Sequence, residues 1–375
     1  MKIALIGPDI AFKGGIAQYN HFLANEIISN GHELKFIGFK KQYPEFLYPS
    51  KSGNTSVEKD LEPLYHVERI FHYANPFSTC KALKELNNFH PDIIIIPHWI
   101  WFFSHLFVPF MLFSRKYKKI VIAHNSFGHE KSFISRTLNY AASKMAFSLC
   151  SHIIVQSIEE KEKASSIVKT GISIFNHPDY NQYLPLIPKE KARSELNIDK
   201  NATVFLFLGF VRKYKGAELF VNAISRSENA AGIIAGEFFD KDLENKIAEL
   251  QKKSDRLIVL NRYFVSSEGR TLISACDAMV LPYLSVTGSG VASIAKACRK
   301  PVISSDLPLF KDIFRDYPAL FFQSGNEDEL LELINDFNKK EYMLKYSGNP
   351  DNIQSGKGWK GLLEHILKIS EAGNE

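Results

Sequence analysis

The chain has 375 residues, 45% of them hydrophobic and 23% charged. That is enough for two folded domains and excludes a disordered or collagenous chain. Four scattered cysteines, Cys80, Cys150, Cys276 and Cys298, form no CxxC pair, which argues against a disulfide framework or a zinc site and for a reducing compartment. The formal net charge is +5, and residues 1–185 hold 20 Lys and Arg against 15 Asp and Glu, so the whole excess lies in the first half. An excess of that size is too weak for a nucleic-acid footprint and is suited to anionic lipid or acidic substrates.

The opening MKIALIG reads as a strand and a turn rather than a signal peptide, so a cytoplasmic protein is expected. A strand over Ile3–Ile6 leads through glycines into a helix from about Gly15 to Ser29, with Gly31 placed as its C-terminal glycine. Leu34–Gly38 is a second strand, and residues 40–66 read as an irregular loop. The four isoleucines inside Asp92–Pro97 mark a buried parallel strand, and Ile120–His124 and His152–Gln156 read the same way. Prolines 178, 185 and 188 interrupt the pattern, and it then restarts. Strands are expected at Val204–Gly209, Gly232–Gly236, Leu257–Leu260, Ala278–Pro282 and Pro301–Ser304, with helices at about 215–227, 241–253, 266–276 and 290–299. Such alternation implies βαβ units and parallel sheets. A last amphipathic helix, Trp359–Ile369, is free to pack on either half.

Ile93–Phe113 holds no Asp, Glu, Lys or Arg and approaches the length of a membrane span. Pro97 and Pro109 interrupt it, so a buried strand followed by a core helix is the expected form. The alternative is a helix lying in a membrane surface, suggested by Trp99, Trp101, Phe102 and Phe103 and by the basic end Arg115, Lys116, Lys118 and Lys119.

Four places have the residues and position for chemistry. Gly14-Gly15 follows the first strand and opens a helix, where backbone N–H groups meet an anion or sugar; an ordinary turn is the alternative. His98 and then His124-Asn125, with His129-Glu130, follow strands at the sheet end that holds ligands in doubly wound folds. Histidine there serves proton transfer or hydrogen bonding, or it caps a core. Gly209-Phe-Val-Arg212-Lys-Tyr-Lys215-Gly216 places two cations where a diphosphate would be gripped, unless the loop is merely a solvated basic turn. Pro282-Tyr283 and Thr287-Gly-Ser289-Gly290-Val291 run into a helix of small residues, as a phosphate or ribose site requires. No full GxGxxG is present, so a nicotinamide site is a poor fit. Asp240-Lys-Asp242 has the DxD spacing that can hold a metal–diphosphate complex, but its place at a helix start suits capping.

At these residues the sequence resembles the family 4, or group 1, glycosyltransferases of the glycosyltransferase-B fold. The resemblance rests, in order, on KIALIG and GGIAQYNHFLANEIISNGHEL, AHNSFGHE, NHPDY, FLGFVRKYKG, NRYF, CDAMVLPY and TGSGVASIAKACRKPVISSD. It implies an α/β protein of two Rossmann-like domains whose parallel sheets face each other across a cleft. Residues 1–185 would bind the acceptor, with a helix at about 356–372 packed back on them, and residues 186–355 would bind the nucleotide sugar. It implies retention of anomeric configuration, no required metal and no cofactor beyond the nucleotide-sugar co-substrate. Arg212 and Lys215 would match the diphosphate-binding pair, and His124 the histidine beside the transferred sugar. Gly14, Gly15, Gly209, Tyr263, Tyr283, Thr287, Ser289, Gly290 and Val291 would contact the donor, with Tyr263 near the base. His98, Asn125, His129 and Glu130 would face the acceptor, a glycan or lipid-linked glycan of surface polysaccharide synthesis. Peripheral contact with an anionic membrane, at the inner face, would follow from the basic aromatic first half. One departure is clear. Many members carry two glutamates in the last loop, and the alignment of CRKPVI places Val286 and Ile294 there. Nucleotide-sugar 2-epimerisation and a degenerate sugar-binding subunit are the alternatives that share this fold.

Overall fold

The computed structural model describes residues 1–44, 60–124, 133–337 and 358–372. The chain divides into two compact units, Met1–Pro178 with Lys357–Glu375, and Asp179–Gly356.

The first unit begins with β1 (Lys2–Ile6), α1 (Gly15–Ser29), β2 (Glu33–Lys41), β3 (Val67–His72), α2 (Ser78–Phe89) and β4 (Ile93–His98). It continues with α3 (Ser104–Phe113), β5 (Lys118–Ala123), α4 (Phe133–Ser148), β6 (His152–Val155), α5 (Ile158–Ser165) and β7 (Gly171–Ile174). Its seven strands lie in the order β3-β2-β1-β4-β5-β6-β7, and every pairing is parallel. Because successive side chains alternate across a strand, the run Ile93–Ile96 supplies both faces. Ile94 and Ile96 pack with α2, α3 and α4, while Ile93 and Ile95 pack against α1 and the final helix.

The second unit contains α6 (Lys189–Glu195), β8 (Thr203–Leu208), α7 (Ala217–Arg226), β9 (Ala230–Ala235), α8 (Lys241–Gln251), β10 (Leu257–Leu260) and α9 (Ser266–Ala275). It then adds β11 (Ala278–Leu281), α10 (Gly290–Ala297), β12 (Val302–Ser305), α11 (Pro308–Ile313), β13 (Ala319–Phe322) and α12 (Glu327–Asp336). Its six strands run β10-β9-β8-β11-β12-β13, again all parallel. The last helix, α13 (Trp359–Glu371), returns to the first unit and buries Leu362, Leu363 and Ile366 beside Tyr19 and Leu23 of α1.

Local chemistry explains the boundaries. Gly31, at φ 76°, follows α1 in the left-handed conformation that ends many helices. Ser157 caps α5 by accepting the Glu160 N–H, and Asn326 caps α12 by accepting from Glu329. The segment Ile93–Phe113 resolves into β4, a short 3₁₀ turn over Trp101–Phe103 and α3, whose Leu106, Phe107, Phe110 and Met111 are buried. Among the described residues no helix is long and apolar enough to cross a membrane. The structure also adds β3, β7 and β13, which the sequence reading left out. VERIFH of β3 and GISI of β7 mix polar residues or glycine among the apolar ones, and ALFF of β13 is apolar but only four residues long.

Candidate functional site

In a doubly wound sheet, the loops at the strands' C-terminal ends diverge where the strand order reverses, leaving a crevice for ligands. In the first unit that point lies between β1 and β4, and in the second between β8 and β11. The sequence candidates sit at these ends: Gly14-Gly15 after β1, His98 at the end of β4, His124 after β5, Gly209–Gly216 after β8 and Pro282–Val291 after β11.

In the second unit, Gly209 has φ 98°, and a Cβ placed on it would lie 3.4 Å from Val291 Cγ2 and 3.5 Å from Lys215 Nζ. Two candidate segments, Gly209–Gly216 and the start of the helix at Val291, therefore converge on one spot. The Lys215 ammonium sits 5.3 Å from the centre of the buried Tyr283 ring, and Arg212 stacks 4.2 Å over Phe239. Several other cations of this unit pair with carboxylates. Lys213 pairs with Asp240 at 2.7 Å, Arg193 with Asp277, and Arg226 with Glu327 and Asp328. Arg212 and Lys215 have no carboxylate partner among the described residues. Burial, with Arg212 as a lesser influence, lowers the Lys215 ammonium to about 8. An ammonium held out of water without a counter-ion is an incomplete arrangement that a bound anion completes.

The start of α10 faces the same spot through Val291. Ser289 caps the helix by accepting the Ala292 N–H at 3.2 Å and is hydrogen-bonded to the Tyr283 hydroxyl. Both side chains are thus engaged in holding the loop, with Tyr283 as the floor under Lys215. The N–H groups of Gly290 and Val291 remain without partners among the described residues, and the helix dipole gives them positive character. Thr287 is half-buried in the same loop. Tyr263 lies after β10, its ring 6.1 Å from Phe210, which in turn meets Phe239 edge-on at 4.9 Å. Phe210 and Phe239 extend an aromatic surface from Arg212 to Tyr263 that the sequence reading did not assign. Asp240 caps α8 through the Leu243 N–H at 2.9 Å, and the Lys213 ammonium beside it keeps its carboxyl below the ordinary range. The DxD spacing is accounted for by this structural work.

In the first unit, the buried Asp9 carboxylate takes two hydrogen bonds from Arg69, at 3.0 and 2.8 Å, and one from the Ala11 N–H at 2.9 Å. This clamp anchors the loop carrying Gly14 and Gly15, and it joins residues 60 positions apart that no local pattern links. Gly15 opens α1 with free space around its Cα.

His124 Nδ1 accepts from the Gln156 amide at 3.0 Å. An amide NH₂ only donates, so the neutral ring carries its proton on Nε2. That Nε2 is buried and has no partner among the described residues. Burial chiefly, then the neighbouring His177 and His98, lower the His124 imidazolium to about 3. His124 is therefore a fixed, neutral hydrogen-bond donor, not a proton carrier near neutral pH. Its ring meets Tyr19 edge-on at 4.5 Å, and Tyr19 also packs on His177 at 5.2 Å and Trp359 of α13 at 4.9 Å. The chain's last helix thus braces the histidine from behind. His98 is buried, with Nε2 3.0 Å from the Ser143 hydroxyl, and burial lowers it to about 4. Asn125, His129 and Glu130 lie outside the described residues.

Residues 188–350, nearly all of the second unit, match the model of the glycosyl transferases group 1 family. The fold is that of the glycosyltransferase-B structures it superposes on. A sucrose-phosphate synthase from Thermosynechococcus elongatus matches with a TM-score of 0.77 at 17% identity, covering 100% of both chains. The Anabaena protein HepE in complex with UDP and glucose matches with a TM-score of 0.74 at 14% identity, covering 99% of this chain and 100% of that one. In sequence, the chain is 26% identical over 164 residues to the O-antigen biosynthesis glycosyltransferase WclY of Escherichia coli. That alignment spans 43% of this chain and 44% of the relative's own length.

Proposed function

We propose that this protein moves a sugar from a nucleotide-diphosphate sugar to a glycan or lipid-linked glycan, with retention of configuration and with protein cations rather than a metal on the diphosphate. The observation that carries this reading is the pair Arg212 and Lys215, without carboxylate partners among the described residues, beside the open N–H groups of α10. The similarity to an O-antigen glycosyltransferase and to a structure holding UDP and glucose supports the substrate class.

In this reading the acceptor hydroxyl attacks the anomeric carbon on the face from which the diphosphate leaves. The new C–O bond forms as the bond to the phosphate oxygen breaks, and the acceptor's proton passes to that oxygen. Arg212, Lys215 and the Gly290 and Val291 amides stabilise the charge developing on the diphosphate. His124, donating from Nε2, holds a sugar hydroxyl. Gly14 and Gly15 add backbone donors, and Tyr263 lies beside the base.

The first test is thermal stabilisation by a panel of nucleotides and nucleotide sugars, because a ligand bound only to the native state raises the melting temperature. One donor should raise Tm of the wild type and leave Arg212→Ala and Lys215→Ala unmoved. Equal shifts in all three proteins would remove the diphosphate assignment.

Two pH dependences follow. Diphosphate binding needs charged Lys215, so affinity should hold below pH 8 and fall above it, by up to about tenfold per pH unit. Lys215→Arg, which stays charged, should flatten that limb in calorimetric titrations of UDP. In contrast, His124 does not titrate near neutrality, so kcat should show no limb attributable to it between pH 5.5 and 7.5, a window set by the ordinary histidine range of about 6.5. Loss of a limb there in His124→Gln would overturn the donor role.

A second reading rests on one feature. Ile294, where the family resemblance would place a glutamate, is only 6% exposed and packs in the interior; Val286, at the other such position, is half-buried. Tight donor binding with neither hydrolysis nor transfer would favour a sugar-binding subunit.

A further inference from the structure

We infer that the outer face of α3 and α4 in the first unit is a docking surface for an anionic lipid bilayer. Both helices lie on the same side of the first sheet, their inner residues Leu106, Phe110, Ala146 and Phe147 sharing one core. Their outer residues are unusual. Phe113 is 71% exposed, Met145 52%, Leu138 43% and Leu112 37%. On α4, Leu138 and Met145 stand seven residues apart, two helical turns along one side, with exposed Ala141 between them. Soluble surfaces carry scattered apolar side chains, but adjoining helices that both turn large ones outward mark an interaction site.

Charge identifies the partner. Neither helix contains an Asp or Glu. From Ile93 to Ile158 the sequence has a single carboxylate, Glu130, against seven Lys and Arg. Exposed Arg115 and Lys116 follow Phe113 after the buried Ser114, and exposed Lys144 adjoins Met145. A protein partner would require matching acidic residues arranged to fit. A bilayer with anionic headgroups meets both features at once, taking the apolar side chains below the headgroups and the cations at their level. α3 has ten residues, about 15 Å at the helical rise, so it lies along such a surface rather than crossing it.

This inference does not depend on the identity of the transferred sugar or on the diphosphate site. It is tested by flotation of the full chain with phosphatidylglycerol-containing vesicles and with pure phosphatidylcholine vesicles. The wild type should float with the anionic vesicles and much less with the neutral ones, and added salt should release it. Leu112→Ser with Phe113→Ser, and separately Arg115→Glu with Lys116→Glu, should each lower the partition coefficient on the order of tenfold or more. The thermal unfolding profile and the Tm shift given by UDP are read on the same samples. Unchanged values keep a lost membrane contact distinct from a damaged fold or a failed donor site, and Met145→Ser offers a milder probe if the double variants unfold. Equal flotation on both vesicle types, or undiminished flotation of every variant, would overturn the proposal. So would wild-type dimerisation in solution that the same substitutions abolish, since the face would then join two copies of this chain.

Discussion

Arg212→Ala is expected to lower kcat/KM for sugar transfer by on the order of 10² to 10³, the cost of removing one preorganised group from developing charge. The expectation rests on three facts about its position. The guanidinium carbon lies 4.2 Å over the Phe239 ring, a contact that places it before substrate arrives. Among the described residues it has no carboxylate to leave when an anion binds. It stands in the loop that also carries Lys215, and its charge helps to lower that ammonium's proton affinity. Lys215→Ala should cost a similar factor. The double variant should cost less than the product of the two, because both act on the same leaving group. Lys213→Ala is the informative control: Lys213 is exposed and paired with Asp240, so its loss should change kcat/KM by less than about threefold, in line with surface ion pairs. Steady-state kinetics on the three variants with one donor would decide the matter. If Lys213→Ala proved as damaging as Arg212→Ala, the loop would act through its general charge and not through two placed cations.

The second large effect is structural. Gly216→Ala should destabilise the second unit by roughly 3 kcal/mol or more. Gly216 has φ 68°, a conformation costly for any side chain, and an added Cβ would come within 1.9 Å of the Pro282 carbonyl oxygen. That oxygen belongs to backbone, so relief requires moving the loop that carries Tyr283 and Ser289. Donor affinity should therefore fall together with stability. Gly31→Ala separates the two contributions. Gly31 has φ 76° and nothing within 4 Å of the added atom, so only the conformational cost of about 1 kcal/mol applies. Urea denaturation of the two variants would measure the difference. Equal losses would mean that the Pro282 contact yields without cost.

Much of the architecture was legible in the chain itself. Parallel β4 was visible in four consecutive isoleucines, because a strand covered on both faces needs apolar residues at every position. Helix α1 was visible from Gly15 to Ser29 because glycines mark both of its ends. The candidate loops were found for a related reason: a strand followed by glycine, cations and a helix fixes which end of a sheet they occupy. That reading, with the family resemblance, selected Arg212 and Lys215 and passed over Lys213, and the structure supplies a physical reason for the choice. The fold brings Asp240 to Lys213 and, among the described residues, leaves the other two without a carboxylate.

The remaining contributions come from residues far apart in sequence. Asp9 and Arg69 clamp the first glycine loop across three strands. Gln156 fixes the proton of His124 on Nε2, and Trp359, more than 200 residues onward, braces it through Tyr19. No local periodicity encodes such pairs, since each depends on the order in which strands assemble. Hydrophobic period, glycine placement and charge are properties of neighbouring residues, so the sequence by itself determined the fold class and the loops that face a ligand. Counter-ion pairing, burial and tautomer depend on what the folded chain places beside a residue, so the tertiary structure alone decided which cations are free and what His124 can do.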